Sequence, residues 1–357
     1  MQRGQRKLEH IKYAMQLADG PRTTGFEDLV FVHNCLPEIN PADVDLTVTI
    51  LGKRLRLPFF IDAITGSTDA VTGLNEQLAQ IAALAGIGLA VGSQYGAVTR
   101  NEGIDSYKIV RTVNPQGLVM ANINAQATPQ QAQAAVTMLD ADALQIHLNA
   151  VQELWMSEGD KDFSFWLNNM KKIRETIAVP VIVKETGFGI ARRQYDILLE
   201  NKFTCFDCAG TGGTNFAAIE AKRSGINIGA EFLNWGHPTC WSLLDAGHLS
   251  AEALLIASGG IRTSGDVARA FALGADAVAI TGPVLKLLLT KGVDAAVEFF
   301  NRLGDELKKY MLLLGCSRVY SLRKVPLIIK GATRNYIDCC KYDLPELCNS
   351  RRSHQIR

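Results

Sequence analysis

The run IHLNAVQELWMSEGDKDF (146–163) gathers His147, Asn149, Gln152 and Glu153 within seven residues. His, Asn and Gln can donate to phosphate oxygens, whereas a carboxylate repels an anion unless a cation stands between them. Mg2+ fits that role, since it takes one carboxylate together with phosphate oxygens and water. The plainer reading of this run is a solvated loop with one satisfied core histidine. Near the start of the chain, Arg6-Lys7-x-x-His10 adds three donors on one helical turn, with Arg6 and His10 four apart. Alone it would be a solvated helix face, but a diphosphate demands several cations and donors.

A second constellation lies in ASGGIRTSGDVARAFALGADAVAITGP (257–283). Gly259-Gly260 lets the backbone approach a ligand, Thr263 to Asp266 opens a helix whose free N–H groups suit an anion, and a further apolar run ends at Thr281-Gly282. The bland alternative is a tight turn followed by a helix cap. Lys184 ends the apolar run VPVIVKE, where a charge must reach a partner or solvent. It could hold the electron-rich end of a flavin ring or a phosphate, or simply snorkel out. GTGGTNF (210–216) is another glycine-rich loop opening a helix.

These residues need a frame, and the apolar runs supply one. LPFFIDAI (58–65 region), IGLAVGS (87), GLVMANI (117), ALQIHL (143), VPVIVKE (179), FTCFDCAG (203), LLIASGG (254) and DAVAITGP (276) read as buried parallel strands. Between them lie amphipathic stretches such as LNEQLAQIAALAG and FSFWLNNMKKIRETI, long enough for crossover helices. The pattern predicts a (β/α)8 TIM barrel, with an open doubly wound sheet as the alternative. Residues 1–57 form an N-terminal extension and VDAAVEFFNRLGDELKKYMLLLG a long C-terminal helix followed by a polar tail. No linker or repeat divides the chain, so 1–357 is expected to be one domain. Polar or glycine residues follow nearly every apolar run, as a barrel that carries its site at the C-terminal strand ends requires.

Composition bounds the rest. With 357 residues, 47% hydrophobic and 20% charged, the chain can bury one large core, and a formal net charge of +1 gives no general attraction to nucleic acid or acidic membranes. Eight cysteines lack the spacing of a disulfide scaffold, and the lone CxxC, Cys205 and Cys208, reads as core packing. The N-terminus has no signal-peptide run, and the longest apolar segment, IAALAGIGLAVG, falls short of the ~20 residues that span a bilayer. A cytoplasmic protein is expected.

Taken in order, RKLEHI, TGFEDLVFVHNCLPEIN, AITGSTDA, AVGSQ, LQIHLNAVQEL, VPVIVKETGFG, GTGGTNFAAIE and ASGGIRT resemble the type 2 isopentenyl diphosphate isomerases over nearly the whole chain. The resemblance implies FMN held by Ala63, Ile64, Thr65, Ser93, Asn122, Lys184, Ala209, Thr214, Gly259, Gly260, Ile261, Arg262, Thr281 and Gly282. It implies substrate diphosphate contacts from Arg6, Lys7, His10, Ser93, Gln94, Tyr95, His147, Asn149 and Gln152, with Mg2+ at Glu153. The chain departs from the family pattern at Ser67 (ITGST for MTGG), at Gly282 and Tyr95, where arginine is common, and at Ala209, where serine is frequent.

Moving the double bond of isopentenyl diphosphate needs a proton added and a proton removed at carbon, with no net oxidation. The resemblance implies that reduced FMN supplies that acid/base chemistry, that NADPH or NADH reduces it beforehand, and that His147 or Gln152 assists. The rival readings are an FMN-dependent 2-hydroxy-acid oxidase or dehydrogenase and a noncatalytic flavin- or phosphate-binding barrel. Expected partners are a small diphosphate and further copies of this chain, with neither nucleic acid nor membrane.

Overall fold

A computed structural model describes residues 3–64, 66, 71–250 and 252–342, with backbone alone for 3–6. Eight short parallel strands close on themselves: β1 (Phe59–Ile61), β2 (Gly88–Ala90), β3 (Val119–Asn124), β4 (Ala143–Leu148), β5 (Val181–Glu185), β6 (Cys205–Asp207), β7 (Leu254–Ala257) and β8 (Ala277–Ile280). Each follows its predecessor around the ring, and β8 returns to β1 through Val278 opposite Phe59. The expected (β/α)8 barrel is therefore the observed fold, and the open-sheet alternative is excluded.

The crossover helices arise from the expected apolar spacing. In the helix Trp166–Thr176 the buried residues are Trp166, Met170 and Ile173, which recur at one turn and face the barrel. The helix Thr72–Ala85 buries Leu78, Ala79, Ile81, Ala82 and Ala85, then stops at Gly86, whose φ of 63° is left-handed. Thr128 and Gln131 form a capping box at the start of Pro129–Leu139. Cys208 is fully buried in the core, where burial and the neighbouring Asp207 push its thiol up to about 12, so the CxxC packs rather than reacts.

The long C-terminal helix is Val293–Leu313, and its Phe300 ring lies 5.8 Å from that of Phe59. The expected polar tail needs correcting. After this helix the chain forms a 3-10 turn (Val319–Lys324), a strand (Leu327–Ile329) and a helix (Gly331–Cys340). Arg323 is the anchor that composition hides: it is buried and donates to the Ala275 carbonyl at 2.8 Å and to Asp276 at 2.7 Å. The strand Leu327–Ile329 pairs antiparallel with Leu29–Phe31 of the N-terminal extension, and Asp28 accepts from Thr333 N at 2.8 Å. Among the described residues no helix is long and apolar enough to cross a membrane.

Candidate active site

Parallel register and the two-residue period of a strand explain why polar side chains meet inside this barrel. Asn122 of β3 stands opposite Gln145 of β4, His147 of β4 opposite Lys184 of β5, and Lys184 opposite Asp207 of β6. All point to the same interior face near the C-terminal strand ends. Asn122, His147 and Lys184 border a cavity of about 540 Å3, within the range of small-molecule sites, with Gln145 and Asp207 buried behind them.

At its floor, Lys184 Nζ lies 2.6 Å from Asp62 Oδ2 and 3.3 Å from Asp207 Oδ2. All three groups are buried. Burial alone would lower the Lys184 pKa, but the two carboxylates more than offset it and hold the ammonium above its ordinary range. Burial would raise both acids. The nearer Lys184 contact wins at Asp62, which is held below the usual carboxylate range, whereas burial wins at Asp207, which is raised to about 7. Asp207 also accepts from Ser258 Oγ. Lys184 is thus locked between two acids, and the expectation of a lysine snorkelling outward is set aside.

From Asp62 a chain of amides runs to His147. Gln145 Nε2 donates to Asp62 Oδ1 at 3.1 Å, Asn122 Nδ2 donates to Gln145 Oε1 at 2.8 Å, and His147 Nδ1 lies 2.8 Å from Asn122 Oδ1. Burial, then the charges of Lys7 and Lys184, lower the imidazole to about 3, against weaker upward pulls from Asp62 and the Ile123 carbonyl.

On the opposite wall the helix Arg3–Gln16 brings Lys7 and His10 to the cavity. His10 Nε2 and Gln152 Nε2 both meet Glu220 Oε1, at 2.8 and 3.0 Å, and Arg223 Nε donates to Glu220 Oε2 at 2.7 Å. Glu220 is fully buried, on the helix Phe216–Ser224 that the 210–216 loop opens. Asn149 Nδ2 donates to Glu153 Oε1 at 2.9 Å and Asp160 N to Glu153 Oε2 at 3.0 Å. No group of three or more His, Cys, Asp or Glu among the described residues is placed to hold a metal. An ion at Glu153 would therefore take its remaining ligands from substrate and water.

Most residues expected at the site border this one cavity. Ala63, Ile64, Ser93, Tyr95 and Asn122 come from the first three strand ends, and His147, Asn149, Gln152 and Glu153 from the fourth. Lys184, Ala209, Thr214, Gly259, Gly260 and Arg262 follow, with Thr281 and Gly282 closing the circle. Thr65 and Ser67 lie outside the described residues, as does the side chain of Arg6.

Three expectations change. Gln94 does not reach the cavity: its side chain is fully buried, donating to the Ala135 carbonyl at 2.9 Å and accepting from Asn122 N at 3.0 Å. Ile261 packs into the core instead of bordering the cavity. The helix opened by Thr263 offers no free anion site, because Asp266 Oδ2 accepts from Arg262 N and Thr263 N at 3.1 and 3.0 Å and puts a carboxylate there. The open donors lie instead at the helix Gly282–Lys291, whose start has no side-chain cap. Nor is Gly259 present only for a ligand: at φ 96°, an added Cβ would lie 2.0 Å from the Gly210 carbonyl oxygen, so it lets two site loops pack together.

Asp62, Gln145, Asp207 and Glu220 were not singled out from sequence. For the acids a signal existed. Asp62 in FFIDA and Asp207 in CFDCA are charges at the ends of apolar runs, as Lys184 is, and opposite charges so placed are mutual partners. Glu220 gives no comparable sign, since one acid on a short amphipathic helix is ordinarily solvated.

A closed parallel barrel with a charged cavity at its C-terminal strand ends is the architecture of a barrel enzyme. Solved structures with this fold include mandelate oxidase with (S)-2-phenylpropionate (TM-score 0.62, 18% identity, 86% of this chain and 88% of that one). Another is mandelate oxidase with benzoyl-formic acid (TM-score 0.61, 17% identity, 86% and 88%). Residues 227–328 match the profile of the FMN-dependent dehydrogenase family. The isopentenyl-diphosphate delta-isomerase of Moorella thermoacetica is 44% identical over 336 residues, covering 94% of this chain and 96% of that protein. The Geobacillus protein of the same name is 43% identical, with 94% and 96% covered. The chain belongs to the isopentenyl-diphosphate delta-isomerase family, and is accordingly an isomerase.

Proposed function

We propose that this protein converts isopentenyl diphosphate to dimethylallyl diphosphate with FMN, Mg2+ and NADPH. The observation that carries the reading is a single cavity with a buried lysine on its floor and Lys7, His10 and Glu153 on its wall. One side suits a cofactor and the other a diphosphate.

The cavity fits a flavin mononucleotide in three respects. Its floor carries the Lys184 ammonium, and the unblocked start of Gly282–Lys291 and the Gly259-Gly260 backbone offer N–H groups to a phosphate. Asn124 Oδ1 and Gln126 Nε2 are buried at its edge with no partner among the described residues, so an acceptor and a donor await a heterocycle that has both. When bound and reduced, FMN would supply the acid/base chemistry at carbon that the isomerisation needs.

The protein's own residues bind and orient. Lys7 and His10 offer charge to the diphosphate, Asn149 and Gln152 offer amide donors, and Glu153 holds Mg2+ against phosphate oxygens. Contacts so far from the reacting carbons convert binding energy into positioning. The deciding experiment measures dimethylallyl diphosphate formed per NADPH oxidised, anaerobically, with FMN and Mg2+. Many products per reducing equivalent, and replacement of NADPH by chemically reduced FMN, are expected. A one-to-one ratio would show a reducing equivalent consumed at every turnover and refute a redox-neutral isomerisation, and no product would favour a 2-hydroxy-acid oxidase or a binding protein.

A further inference from the structure

We infer that Asp62 and Gln145 are positioning residues that fix the tautomer of His147, holding its proton on Nδ1 and presenting Nε2 to the cavity as a hydrogen-bond acceptor. The inference rests on direction in the amide chain. Asp62 is ion-paired with Lys184 at 2.6 Å, so its carboxylate is ionised and can only accept. The Gln145 atom 3.1 Å away must then be its NH2, which turns the Gln145 carbonyl toward Asn122. The Asn122 atom 2.8 Å from that carbonyl must in turn be its NH2, which leaves the Asn122 carbonyl facing the ring. The ring nitrogen 2.8 Å from this carbonyl must be a donor.

Each link has one solution because the end of the chain cannot donate, and Gln145 and Asn122 are themselves buried and shielded from competing water. Asn122 is the side-chain partner of the His147 ring, and the Ile123 backbone carbonyl that also pulls on the ring is likewise an acceptor. As a neutral ring protonated on Nδ1, His147 offers the cavity a lone pair. On this inference it does not donate from Nε2 to a phosphate oxygen, the part the sequence suggested for it. It suits an N–H or O–H of the bound molecule, or a proton in transit, instead.

This deepens the reading of the same site as an isomerase, yet its test needs no turnover. The full-length protein, labelled with 15N in its histidine rings, would be studied by NMR near neutral pH, with His147 assigned by the loss of its signals in His147→Phe. Expected is a protonated-type Nδ1 and an unprotonated-type Nε2 in the parent. Gln145→Met breaks the chain, and Asp62→Asn gives it an end that can also donate. Both should show a mixture of tautomers while keeping the circular dichroism of the parent. A proton on Nε2 in the parent overturns the inference. So does an unchanged single Nδ1–H tautomer in two folded variants. Should Asp62→Asn not fold, because it also removes a partner of Lys184, Gln145→Met decides alone. Absence of isomerase activity with the tautomers as expected would refute the functional reading and leave this one standing.

Discussion

Gln152 Nε2 donates to Glu220 Oε1 at 3.0 Å, and through that oxygen a residue expected to touch substrate is tied to the N-terminal helix, because His10 meets it too at 2.8 Å. Glu220 lies below the usual carboxylate range: burial alone would raise it, but His10, Gln152 and Arg223 together outweigh that. Glu220→Gln removes a charge that three donors share and leaves Glu158 as a carboxylate that Arg223 still meets. We expect a loss of about 1–3 kcal/mol in stability and a raised KM for the diphosphate, read by urea unfolding and steady-state kinetics.

Lys184→Met leaves two buried acids without their cation. A stability loss of about 3–5 kcal/mol is expected, with weakened FMN binding. Adding Asp207→Asn should recover part of the stability and none of the flavin affinity. Equal losses in the single and double variants would show that the ion pair is not what the lysine contributes.

The His147 ring, lowered to about 3 in the fold and near 6.5 when unfolded, gives a pH dependence with a definite sign. Because the folded value is depressed, the contribution is fully present above pH 6.5 and is lost as pH falls toward 3. Between those limits the parent should lose up to about 1.4 kcal/mol per pH unit more than His147→Gln. Urea midpoints for both proteins at pH 7.5, 5.5 and 4.5 test this, and parallel curves would contradict it.

Glu153→Gln should keep FMN binding, reduce turnover and raise the Mg2+ concentration needed for half-maximal rate. The amide can accept at one end only, so either Asn149 or the Asp160 N–H loses its partner and the 149–160 segment loosens. Equal Mg2+ dependence in the two proteins removes Glu153 from the metal site.

The sequence disclosed the barrel because eight apolar runs, each buried on both faces, alternate with helices whose apolar period is unmistakable. It disclosed Lys184 and Asn122 by their place at strand ends. It misplaced Gln94, since a polar residue beside a serine at a strand end looks the same whether it faces the ligand or the chain. Asp266 was taken as part of an anion site when it is the capping carboxylate that closes it. Gln145 was invisible: inside ALQIHL a single polar residue is legible only once register sets it beside Asn122 and Asp62. The polar tail concealed a strand, because Leu327–Ile329 has meaning only opposite Leu29–Phe31.

That pairing orders events in time. The segment 29–31 finds its strand partner about 300 residues later, a loop closure among the longest this chain allows. On a ribosome the segment 29–31 would emerge long before the partner strand Leu327–Ile329 is made. The strand pairings that close the barrel, from Phe59 round to Val278, do not include that segment. The pairing that anchors the extension is thus the longest in sequence among the described strands, set apart by topology from the ring of pairings that shapes the cavity floor.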